Sequence, residues 1–187
     1  HQFWYGVVAT NEFVHAWMDE GFNTFSTARA MEAAFPGRFV TVVRLFGGLL
    51  PWAHTDVPWS RDIDGNRLNA YRPAAGSDIP STPTWKYWPA NAGVITYNKT
   101  ALWLATLERL IGWPTTQKIL ATHFSRGAFR HPAPEEFFAI ANEVSGRDLT
   151  WFFDSVYRSS ATFDYAVTDV ISTPHAATTD HQEIVRR

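Results

Sequence analysis

Residues 14–35 read VHAWMDEGFNTFSTARAMEAAF, and this stretch decides the fold class. Its apolar side chains recur at steps of three and four residues, which is the spacing of one face of an α-helix. They are Trp17, Met18, Phe22, Phe25, Ala28, Met31 and Phe35. Pro36-Gly37 follows directly, and this dipeptide stops a helix. The sequence therefore predicts a long helix over residues 14–35.

Other helical patterns extend through the first 160 residues. Pro114 stands near the start of one helix, where a missing N–H costs least. Glu135 and Glu136 occupy the first turn of another, where they face the positive end of the helix dipole. Asp148 is a candidate N-cap of the last helix. The additional predicted helices cover residues 1–10, 39–50, 92–111, 115–126, 134–146 and 148–157.

Two segments break the helical pattern. Residues 51–90 contain six prolines, which indicates a long irregular connection of the kind that is often functional. This connection also carries Trp52, Trp59, Trp85 and Trp88. After Ser160 apolar and polar residues alternate, which is typical of a strand. The sequence therefore predicts a mainly α chain, with a helical lobe at 1–160 and the start of a β-rich segment at 161–187.

The composition limits the function classes. With 45% hydrophobic and 18% charged residues, the chain is neither a disordered tail nor a coiled coil. A net charge of −2 argues against nucleic acid as a partner, and no apolar run is long enough to span a membrane. Because cysteine is absent, a metal site would need nitrogen and oxygen ligands. The composition does not indicate the cellular compartment.

The most specific motif begins at the first residue. His1 opens the apolar run HQFWYG, and WMDEGF follows at residues 17–22. Together they resemble the aminopeptidase N family of zinc peptidases (gluzincins), which includes the leukotriene hydrolases. That family has H-E-x-x-H, eighteen residues and then Glu, within W-L-N-E-G-F. Residues 2–19 supply the eighteen, so Glu20 has the required spacing from His1. Asp19 replaces the usual Asn.

This resemblance implies a fold, an ion and a reaction. It implies the helical lobe of a thermolysin-like catalytic domain, with His1 and Glu20 as zinc ligands and a peptide as substrate. A position left open on the zinc takes water, and the metal activates that water and polarises the scissile carbonyl. The parent protein would remove N-terminal residues from peptides.

A second match points to a catalytic tyrosine. Residues 93–99 read GVITYNK and are similar to the family's V-x-Y-x-K-G stretch, with Thr100 in place of the usual Gly. The resemblance implies that Tyr97 donates its hydroxyl to the oxyanion of the tetrahedral intermediate.

The resemblance also predicts what this chain lacks. The first His and the general-base Glu of H-E-x-x-H would precede residue 1, and the chain begins abruptly inside an apolar run. We therefore expect a piece of a longer protein, whose N-terminal lobe is its missing partner. By itself the piece would bind zinc weakly and would not hydrolyse peptides.

Simpler interpretations of the same residues stay open. A terminal His1 can be merely solvated, and Glu20 can pair with Arg29. The tryptophans of residues 51–90 suggest an alternative function, a non-catalytic binding module in which Trp85 and Trp88 stack on sugars or peptides. His54, His123 and His131 are predicted to be surface or hydrogen-bonded structural histidines.

Overall fold

A computed structural model describes residues 1–34, 39–44, 49–50, 52, 54–59 and 63–161. Most of these residues are helical. The helices are α1 (Phe3–Val7), α2 (Glu12–His15), α3 (Trp17–Ala34), α4 (Ile63–Tyr71), α5 (Asn91–Gly93), α6 (Thr100–Ile111), α7 (Trp113–Gly127), α8 (Pro134–Ser145) and α9 (Thr150–Val156). Arg72–Ala74 and Thr84–Lys86 form 3₁₀ turns, and Val94–Lys99 is a π-helical segment that joins α5 to α6. The mainly helical prediction is confirmed.

The predicted helix over residues 39–50 is wrong. Strand β1 (Phe39–Arg44) instead pairs with β2 (His54–Trp59) in an antiparallel hairpin, with Phe39 opposite Trp59 and Arg44 opposite His54. A short apolar run does not distinguish a buried helix from a strand. Here residues 40–43 read VTVV, and four consecutive β-branched residues favour the extended backbone.

The predicted connection at residues 51–90 contains more regular structure than expected, since β2 and α4 both lie within it. The predicted helix over residues 14–35 is divided. Helix α2 ends at His15, Ala16 turns the chain, and α3 continues to Ala34. The β-rich segment predicted at 161–187 lies outside the described residues apart from Ala161.

Helix ends follow the local sequence closely. Helix α8 begins at Pro134 and is followed by Gly146 with a φ of 65°, a conformation that costs a glycine little. The Asp148 carboxylate accepts the backbone N–H of Thr150 at 2.9 Å. Asp148 therefore supports the start of α9 as predicted, although Leu149 is the residue at the cap position.

An aromatic core holds the helices together. Trp17 and Phe22 of α3 are fully buried, and Phe137 of α8 packs against Phe22 with ring centroids 4.9 Å apart. Phe138 of α8 stacks on Phe153 of α9 at 4.3 Å. The apolar stripe predicted for α3 stops short of its C-terminal end, where Met31 is exposed. Of the helices that the structure describes, none has the length and apolar character needed to cross a bilayer.

Candidate active site

An open cleft of about 460 Å³ lies where three parts of the chain meet. The start of the chain, helices α2 and α3, and the π-helical segment supply its walls. The lining residues are His1, Gln2, Tyr5, Glu12, Asp19, Glu20 and Tyr97. The cleft thus brings together all three site residues predicted from the sequence.

His1 and Glu20 are in direct contact in this cleft. The distance from His1 Nδ1 to Glu20 Oε2 is 2.6 Å, and both side chains are partly exposed. Trp4 holds α1 beside α3, because its buried ring packs edge-on against Phe22 with centroids 5.3 Å apart. Its indole N–H also donates to Ser26 Oγ at 3.0 Å.

Tyr97 completes the group. Its ring stacks on the His1 imidazole, with centroids 5.4 Å apart and planes inclined by 24°. Desolvation raises the pKa of Tyr97 well above its usual value, and a hydrogen bond to Glu20 and the nearby carboxylates raise it further. The phenol therefore stays protonated near neutral pH. It lies in the π-helical segment, and such wide turns are frequent at functional sites.

The approach of α3 to the π-helical segment depends on Gly21. A Cβ placed on Gly21 would meet Thr100 Cγ2 at 2.0 Å and the backbone oxygen of Thr96 at 2.9 Å. Both threonines are buried. Only a residue without a side chain permits this approach, and it lets Glu20 and Tyr97 share one cleft.

Two further carboxyl groups line the cleft beside Glu20. Asp19 is almost fully buried, and the Asn23 amide donates to its Oδ1 at 2.5 Å. Burial raises the pKa of Asp19 far above its usual range, and a hydrogen bond with Glu12 and the charges of Glu12 and Glu20 act in the same direction.

Glu12 had not been predicted as a site residue. It belongs to the short helix α2, which ends at His15 just before α3 begins, and it lines the cleft.

His1 and Glu20 offer the donor atoms that zinc prefers, but they are fewer than the ligands of a catalytic zinc site. An imidazole nitrogen and a carboxylate oxygen are ligands that zinc uses, and His1 and Glu20 already converge. Catalytic zinc sites use three protein ligands. Within the described part of the chain, no group of three or more His, Asp and Glu side chains is arranged to hold a metal ion. The cleft thus brings together one nitrogen donor and one oxygen donor, fewer than a catalytic zinc site uses.

The prediction for His123 is wrong. This side chain is 1% exposed, and neither ring nitrogen has a hydrogen-bond partner among the residues that the structure describes. Trp4, Phe22 and Phe137 surround it. Burial lowers the pKa of His123 to about 4, against a smaller opposite effect of Glu136.

The other two histidines have different outcomes. His131 fits the structural prediction, because its Nδ1 lies 2.5 Å from the carbonyl oxygen of Ala9. The side chain of His54 lies outside the described residues.

Three tryptophans of residues 51–90 are exposed and do not line the cleft. They are Trp52, Trp85 and Trp88, and the side chain of Trp59 lies outside the described residues. Trp85 stacks on Phe13 with centroids 6.1 Å apart. Their role in binding a ligand stays a prediction.

Comparison with known proteins supports a peptidase relationship. The chain is similar to Aminopeptidase M1-B of Oryza sativa subsp. japonica, with 27% identity over 161 residues. The match covers 81% of this chain and 16% of that protein, so the chain spans only a small part of its relative. No family model and no solved structure matches. The similarity supports a relationship with the M1 aminopeptidases and agrees with the motif at residues 1–22.

Proposed function

We propose that this chain is part of a zinc aminopeptidase, in which His1 and Glu20 bind the metal and Tyr97 acts on the substrate. One observation carries the proposal: separate segments bring an imidazole, a carboxylate and a phenol into one cleft. The His1–Glu20 contact is 2.6 Å and the His1–Tyr97 ring distance is 5.4 Å. The similarity to Aminopeptidase M1-B supports a peptide as substrate. On this proposal, the helices form the helical lobe of a thermolysin-like catalytic domain.

Each side chain has a distinct role in the proposed reaction. A zinc ion, when bound, polarises the scissile carbonyl and activates a water molecule. His1, at the start of the chain, and Glu20, in α3, would supply one nitrogen and one oxygen ligand. Tyr97 keeps its proton because its pKa is raised, so its hydroxyl can donate to the negative charge that develops on the carbonyl oxygen. Loss of one such donor typically costs about 10²–10³ in kcat.

We propose further that the 187-residue chain alone binds zinc weakly and is inactive as a peptidase. The cleft offers two of the three protein ligands that catalytic zinc uses. On the resemblance to the family, the remaining imidazole and the general-base Glu come from a neighbouring lobe. Two of the carboxyl groups in the cleft do not replace that base, because Asp19 holds its proton and Glu20 is the proposed ligand.

Zinc titration by calorimetry tests the metal assignment. Glu20→Gln is expected to weaken zinc binding about 10-fold or more, because an amide oxygen is a much poorer zinc ligand than a carboxylate. Glu32→Gln is the matched control, since Glu32 lies on the same helix with an exposed carboxylate. It should leave the affinity within about 2-fold of wild type.

Three results would contradict parts of the proposal. If wild-type protein shows no zinc binding, or if Glu20→Gln and Glu32→Gln weaken it equally, the metal assignment fails. If the pure chain cleaves a chromogenic aminoacyl substrate, the proposed inactivity of the isolated chain fails while the peptidase assignment stands.

A further inference from the structure

The N-terminal end of α1 receives its cap from another helix. Gln2 occupies the cap position but makes no side-chain hydrogen bond to the helix. Backbone N–H groups in a first helical turn lack partners within the helix. Asn23 of α3 supplies one, because its Oδ1 accepts the backbone N–H of Trp4 with an N···O distance of 3.5 Å. Helix α1 is thereby joined to α3 at the end that carries His1.

Asp19 fixes the orientation of the Asn23 amide. Asn23 Nδ2 donates to Asp19 Oδ1 at 2.5 Å, and both side chains are buried. A carboxyl oxygen needs a donor and the Trp4 N–H needs an acceptor. The amide therefore satisfies both neighbours in one orientation only, with its nitrogen toward Asp19 and its oxygen toward Trp4.

The two contacts between the start of the chain and α3 have the same separation along the sequence. His1 contacts Glu20 and Trp4 contacts Asn23, and each pair is separated by 19 residues. The start of the chain therefore lies along α3 in the same direction. Ser26 extends this line of contacts by accepting the indole N–H of Trp4 at 3.0 Å. Loosening the Trp4–Asn23 contact would remove a hydrogen bond to the backbone three residues from His1.

We propose that Asn23 is a positioning residue that holds His1 against Glu20. It does not line the cleft, so it acts through the backbone of α1 rather than by touching a ligand. The inference rests on the proposed function in one respect, because it takes His1 and Glu20 as the functional pair. Outer partners that orient metal ligands typically account for about 10–100-fold in metal affinity.

The test compares two variants of the full 187-residue chain. Asn23→Ala removes both hydrogen bonds. The exchange Asp19→Asn with Asn23→Asp restores them in reverse, because the amide at position 19 can donate to the carboxylate at position 23. That carboxylate keeps an oxygen for the Trp4 N–H. Val156→Ala on α9 controls for a general loss of stability in the core.

Two readouts separate the inference from the proposed function. The first needs no metal: a nuclear Overhauser contact between the stacked rings of His1 and Tyr97. We expect Asn23→Ala to lose this contact, and the exchange and Val156→Ala to keep it. The second is zinc titration, in which Asn23→Ala should bind about 10-fold more weakly.

Each outcome supports or overturns the inference. A folded Asn23→Ala that keeps the His1–Tyr97 contact overturns it, as does an exchange variant that fails to restore the contact. If Asn23→Ala does not fold, the exchange variant alone decides. Absence of zinc binding by wild type would refute the metal assignment, while the expected changes in the ring contact would still establish the positioning role.

Discussion

The close approach of α3 to the π-helical segment gives the most direct test of the structure. We predict that Gly21→Ala destabilises the chain although alanine is the better helix former. The added Cβ would lie 2.0 Å from Thr100 Cγ2, 2.3 Å from Thr100 Cβ and 2.9 Å from the Thr96 backbone oxygen. Thr100 is completely buried and the Thr96 oxygen belongs to the backbone, so neither yields easily.

The expected magnitude follows from two opposing contributions. Overpacking a close contact of this kind costs about 3 kcal/mol. Replacing a helical glycine by alanine contributes about 1 kcal/mol in the opposite direction. The net loss is about 2 kcal/mol, which for a domain of this size lowers the Tm by about 4–8 °C.

Thermal and urea unfolding followed by circular dichroism measure this effect. Gly6→Ala is the matched control, because Gly6 also lies in a helix but a Cβ there meets nothing within 4 Å. It should be neutral or stabilising by up to about 1 kcal/mol. Combining Gly21→Ala with Thr100→Gly removes the two nearest atoms, and the pair should show a favourable coupling of at least about 1 kcal/mol. A Gly21→Ala variant as stable as Gly6→Ala would refute the described packing.

Two further predictions concern stability. His123 has an ordinary pKa of 6.5 when exposed and of about 4 in the fold, so the unfolded chain binds the extra proton first as the pH falls. The contribution of His123 to stability is full above pH 6.5 and falls by about 3 kcal/mol toward pH 4. Because the raised pKa of Asp19 acts in the opposite direction, the measurement is the difference in unfolding free energy between wild type and His123→Leu, from urea unfolding at several pH values, and this difference should show the slope. Gly146→Ala should cost about 1 kcal/mol, because Gly146 has a φ of 65° after α8, whereas Gly146→Asn should cost less. Equal Tm values for the two variants would contradict this reasoning.

Part of the candidate site could be predicted from the sequence, because its residues belong to motifs with characteristic spacing. The number of residues between His1 and Glu20 and the motif around Tyr97 indicated three residues, and the structure places all three in one cleft. The sequence did not predict Asn23 and Glu12 as site residues, because packing between segments places them there. Asn23 depends on how α1 packs along α3, and Glu12 depends on the position of α2 at the cleft.

Elements whose signals are local could be predicted from the sequence. Pro134 and Gly146 bounded α8, and the three- and four-residue steps of large apolar side chains indicated α3, because propensity and periodicity act within a few residues. Only the tertiary structure decided that residues 39–44 form a strand, since pairing with β2 stabilises the extended backbone. It alone placed His123 among aromatic rings without a hydrogen-bond partner in the described part of the chain. Burial of that kind depends on which distant helices pack together. Residues that meet in this way have no regular separation along the sequence, so a pattern search in one sequence does not find them.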